Sequence, residues 1–121
     1  MTMKFAMPRL TRRRPQHSRS FVRYEGQIDT AITLIDRMVS MEGRVLDLSR
    51  GGALFRPRLA YIMRRTDEPI CIRLGAEELF GHIVSTSPKG FSVRFDDPID
   101  EPEFDELIAQ FKLTPPGQAA A

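Results

Sequence analysis

The chain has 121 residues, 41% hydrophobic and 28% charged, with one cysteine, no tryptophan and a formal net charge of +2. That size fits one domain of about 100–150 residues and excludes two, and the single thiol, Cys71, excludes an intramolecular disulfide framework. No apolar run approaches the roughly 20 residues of a membrane span, and the opening MTMKFAMPRLTRRR reverses the charged-then-apolar order of a secretory signal, so a cytoplasmic protein is expected.

The charge is unevenly spread. Lys4, Arg9, Arg12, Arg13, Arg14, Arg19 and Arg23 all precede the first acid, Glu25, while Asp96, Asp97, Asp100, Glu101, Glu103, Asp105 and Glu106 crowd one C-terminal stretch. Residues 1–24, rich in Arg, Pro and Ser and without apolar periodicity, read as a basic arm that is loop or disorder when free. Such asymmetry points to an anionic partner for the arm, against the alternative of a solvated tail that touches nothing.

From Gln27 the pattern changes. Ile28, Thr30, Ile32 and Leu34 share one face at the two-residue period of a half-buried strand. Arg44–Leu48 and Ala53–Arg56 follow, separated by Ser49, Arg50, Gly51 and Gly52, and then come Ile70–Leu74, Leu79–Thr86 and Phe91–Phe95. Pro88, Lys89 and Gly90 mark a hairpin between the last two. Six short strands at regular spacing predict a mainly β fold, a small antiparallel barrel or sandwich. Pro57–Thr66 reads equally as a helical turn or a strand extension. Phe104, Leu107, Ile108 and Phe111 then form one apolar helical stripe, with Pro102 in its first turn and Thr114, Pro115, Pro116 and Gly117 ending it. The folded unit is expected over residues 25–113, with 114–121 a disordered tail.

Catalytic chemistry is poorly supplied. His17 lies in the arm and His82 in a strand with no motif around it, one cysteine and two distant histidines make no metal site, and the acids after Asp96 lack the spacing of a calcium loop. Gly51-Gly52 has no Lys and Ser/Thr of a phosphate loop. No enzyme activity, cofactor or metal is therefore expected.

One constellation remains, Val45-Leu46-Asp47-Leu48-Ser49-Arg50-Gly51-Gly52-Ala53. It puts a carboxylate at the end of a strand, a hydroxyl two residues later on the same side, and glycines where the chain must turn. Asp47 can accept from paired N–H donors and Ser49 offers a hydroxyl, beside backbone amides that glycine leaves approachable. Local hydrogen bonds within a hairpin turn are the other reading of the same residues. With the arginines upstream, which suit phosphates and guanine edges, the set fits a ligand that carries both guanines and phosphates.

At this point the sequence resembles the PilZ domain family, receptors for the bacterial second messenger cyclic di-GMP. That family is marked by RxxxR before the first strand and [D/N]xSxxG at the end of the second. Asp47, Ser49 and Gly52 reproduce the second motif without a gap, and Arg19-Ser20-Phe21-Val22-Arg23 has the spacing of the first. The resemblance implies a six-stranded antiparallel β-barrel followed by a helix. It implies a cyclic di-GMP site at Arg19, Arg23, Asp47, Ser49 and Gly52, with Arg13 and Arg14 as secondary candidates. The arm would fold over the ligand and present a new surface to an effector protein. Two rivals stand beside it. One is a PilZ-like adaptor that binds a protein and no nucleotide; the other is a nucleic-acid-binding small barrel. The second rival needs exposed aromatics among basic residues, whereas the phenylalanines here fall at core-phase positions, Phe21 excepted.

Overall fold

The structure is a computed structural model and describes residues 21–59 and 67–116. Six strands, β1 (Tyr24–Leu34), β2 (Val39–Leu48), β3 (Gly52–Pro57), β4 (Glu68–Leu74), β5 (Glu77–Ser87) and β6 (Gly90–Phe95), precede one helix, α1 (Glu101–Phe111). The strands close into an antiparallel barrel in the order β1-β2-β3-β6-β5-β4, with β4 paired back to β1. Closure removes the open edges that would template aggregation. The expected mainly β fold with six antiparallel strands and a C-terminal helix is the observed one.

The two-residue period explains the interior. Ile28, Ile32 and Leu34 of β1, Ile70, Ile72 and Leu74 of β4, and Phe91, Val93 and Phe95 of β6 all point inward and are buried, with Phe55 of β3 among the largest side chains at the centre. Each such side chain contributes about 1.5–3 kcal/mol relative to exposure.

Every strand extends beyond its expected range, because cross-strand pairing continues through residues outside the apolar alternation, such as Glu68 in β4 and Gly90 in β6. β2, for example, begins at Val39 rather than Arg44, through Ser40 and Glu42 that pair with Thr33 and Ala31. A turn of 3-10 helix at Ile35–Arg37 and a left-handed Met38 (φ 54°) link β1 to β2. Of the segment left open between Pro57 and Thr66, Pro57 belongs to β3 and the Arg58 amide bonds the Glu42 carbonyl at 2.7 Å, while residues 60–66 lie outside the described residues.

Helix α1 buries Phe104 and Leu107, and the Tyr24 ring meets that of Phe104 edge-on at 5.6 Å. Its C-terminus ends at a left-handed Lys112 (φ 55°), which turns the chain back so that Leu113 is buried over Gly26. A Cβ at Gly26 would overlap the Leu113 side chain. Thr114, expected to begin the tail, instead exchanges two backbone hydrogen bonds with Glu25 at 2.8 and 2.9 Å.

Candidate functional site

The pairing of β1 with β2 sets Tyr24 opposite Leu48 and Glu25 opposite Asp47, so the chain just before β1 runs alongside the end of β2. Val45 and Leu48 are both buried although three residues apart, which strict alternation forbids. A bulge supplies the extra residue: Val45 pairs with Phe55 and Asp47 with Leu54, leaving Leu46 over. Asp47 is thereby set on the outer wall, its side chain 22% exposed, and Arg23 Nη1 donates to its Oδ1 at 2.7 Å. The contact engages one guanidinium nitrogen and one carboxylate oxygen, which leaves the other Arg23 nitrogens and the second Asp47 oxygen without a hydrogen bond among the described residues.

Ser49 takes the local of its two readings. Its side chain is buried, and its hydroxyl accepts from the Gly51 and Gly52 amides at 3.2 and 3.1 Å. The hydroxyl therefore ties the turn together rather than facing outward, and the two amides point at it rather than at solvent. Gly52 also answers to packing. A Cβ there would overlap the Val93 carbonyl oxygen of β6, so glycine is required by the neighbouring strand.

Arg50, which the sequence reading treats only as turn material, proves to be the organising residue of this turn. Its Nε donates to the Ile99 carbonyl at 2.7 Å, and the Ile99 amide donates back to the Arg50 carbonyl at 2.8 Å. The guanidinium also lies 5.0 Å from the centre of the Phe21 ring, within cation–π range. Arg50 thus joins the motif turn, the chain leaving the arm and the segment leading to α1. Its partners lie far away in sequence, and a lone positive charge between Ser49 and two glycines was the single local hint. Arg19, Arg13 and Arg14 lie outside the described residues.

His82 sits on the outer wall of β5, 39% exposed, with Nδ1 3.0 Å from Asp96 Oδ1. Cys71, on β4, has its pKa pushed up by partial burial and by the Glu78 carboxylate, which accepts a hydrogen bond from the thiol. Among the described residues no three His, Cys, Asp or Glu side chains group as metal ligands, and no helix is long and apolar enough to cross a membrane. Comparison with protein-family models and with curated protein sequences finds no match.

Proposed function

We propose that this protein is a cyclic di-GMP receptor of the PilZ type, acting as an adaptor without catalysis. The Arg23–Asp47 contact supports this reading most directly, because it joins the last arginine of the RxxxR segment to the carboxylate of the DxSxxG turn on one outer wall. A guanine edge offering paired N–H groups suits Asp47, and the phosphates suit the guanidinium groups of Arg23 and Arg19. Ser49 and Gly52 serve by holding the turn in shape. Closing the arm over the ligand costs conformational entropy, so affinity depends on several charge-assisted contacts made together. The closed arm then offers an effector protein a surface that the open arm does not, a shift of population between two states.

A second reading, a PilZ-like adaptor that binds no nucleotide, draws on the same pair. Arg23 and Asp47 are already paired with each other, so a ligand has to compete with an existing contact. Isothermal titration of the full chain with cyclic di-GMP, with GTP and cyclic di-AMP as controls, separates the two. Micromolar or tighter binding selective for cyclic di-GMP upholds the receptor. Absence of heat together with an unchanged melting temperature overturns it in favour of the nucleotide-independent adaptor.

A further inference from the structure

Beginning at Leu46, next to Asp47, and running away from the motif turn, the outer wall built from β1, β2 and β3 carries an open groove of about 790 Å³, within the range of small-molecule sites. Three guanidinium groups line it: Arg44 on β2, Arg56 on β3 and Arg58 just beyond β3. Arg44 and Arg56 are register partners and both are exposed. Such partners have Cα atoms about 4.5–5.5 Å apart, and like charges placed there destabilise the strand pair. As a cross-strand pair the two arginines are unfavourable to the β2–β3 pairing, where an opposite charge or a β-branched residue at either position would pair better.

The groove's own carboxylates only partly offset the charge. Arg44 Nε donates to Asp29 Oδ1 at 2.7 Å and Arg58 Nη1 to Glu42 Oε1 at 2.8 Å. Among the described residues Arg56 has no hydrogen-bond or ion-pair partner, which leaves the groove one positive charge in excess. Asp29 and Glu42 are 77% and 70% exposed, and pairs of that kind are worth only about 0–1 kcal/mol. An entering dianion can therefore replace them at small cost while it relieves the Arg44–Arg56 repulsion. Guanidinium forks match phosphate oxygens two at a time, which a single carboxylate between two arginines does less well.

We propose that this groove is a second binding site, for a phosphate-bearing ligand of nucleotide size. Arg44 and Arg56 clamp one phosphate between them, and Arg58, two residues further along the same face, takes a neighbouring one. The site does not rest on the cyclic di-GMP reading, since none of these arginines belongs to the two motifs.

The test follows the arginine Nε–H signals of the full chain by NMR at low ionic strength, with sodium pyrophosphate and a 12-nucleotide single-stranded RNA as probes. Saturable shifts of the Arg44 and Arg56 signals are expected, with affinity at least tenfold weaker in Arg56→Glu and reduced in Arg56→Gln. Arg73→Gln, on β4 outside the groove, should leave the affinity read at those signals unchanged, which separates this site from general attraction to a surface cation. Tighter binding of the RNA through the same signals assigns the phosphate to a nucleic-acid chain, and pyrophosphate binding unmatched by RNA assigns it to a free ligand; either upholds the site. Arg44 and Arg56 signals that do not move, or an Arg44 signal that saturates at the same pyrophosphate concentration in folded Arg56→Glu as in the wild type, overturn it.

Discussion

Arg23 and Asp47 are 24 residues apart in the chain, and their side chains meet at 2.7 Å on the outer wall of the barrel. The first lies immediately before β1, the second near the end of β2, and the β1–β2 register together with the bulge at Leu46 brings them together.

Because Arg23 is 53% exposed, this pair is worth at most about 1 kcal/mol to the fold. Arg23→Ala and Asp47→Ala are therefore expected to lower stability in urea by less than that. Their effect on cyclic di-GMP should be far larger, at least tenfold in affinity, or about 1.5–3 kcal/mol for a charged hydrogen bond. Titration calorimetry on the two folded variants checks this, and unchanged binding in both removes these residues from the site.

The turn predicts the opposite balance. Ser49 is buried and serves two backbone amides, so Ser49→Ala leaves both without that acceptor and should cost about 1–3 kcal/mol of stability. Gly52→Ala forces its new methyl against the Val93 carbonyl, with a similar cost from overpacking. Urea midpoints measure both. Wild-type stability in Ser49→Ala would mean that the hydroxyl is free to serve a ligand after all.

That contrast marks what could be read in the sequence. Alternating apolar residues such as Ile70, Ile72 and Leu74 reveal a strand because burial follows the two-residue pleat, and Phe104, Leu107, Ile108 and Phe111 reveal a helix by the same logic. Asp47 and Ser49 stand out by spacing, yet the bulge at Leu46 and the end of β2 give them different environments. A bulge depends on register with a partner strand, which no local pattern records. Arg50 was missed for a related reason: its partners, Ile99 and Phe21, come from elements that meet it only after the barrel closes. The clash at Gly52 likewise exists only once β6 lies beside β3.

Glu68, fully buried at the start of β4, has Arg37 Nε 3.6 Å from its Oε2. Removing the cation from a buried pair leaves a charge in a medium that disfavours it, at a cost of about 3–5 kcal/mol when both groups are enclosed. Arg37 is 43% exposed, so solvent screens part of the interaction, and Arg37→Ala should cost less, about 1–3 kcal/mol. Glu68→Gln in the Arg37→Ala background should recover part of that loss. A double-mutant cycle in urea tests the coupling, and strict additivity would show that the two side chains act independently.

Glu103, in the first turn of α1, has its carboxyl pKa pushed up by desolvation first and then by the nearby charges of Asp100, Glu77 and Glu106. For an acid raised in the folded state, the native protein holds the proton more tightly than the unfolded chain. Its ionised form therefore carries a cost that is present above the folded pKa and is relieved as pH falls through it. The helix dipole favours a negative charge at this position, but the upward direction means that desolvation and repulsion prevail. Glu103→Gln should accordingly raise the melting temperature at pH 7, and the gain should fade with acidification and vanish below the unfolded carboxylate value of about 4.3. Added salt should shrink the part due to repulsion at neutral pH. Thermal unfolding of both proteins from pH 3 to 7 checks the sign, and a gain of equal size across that range would trace it to something other than the charge.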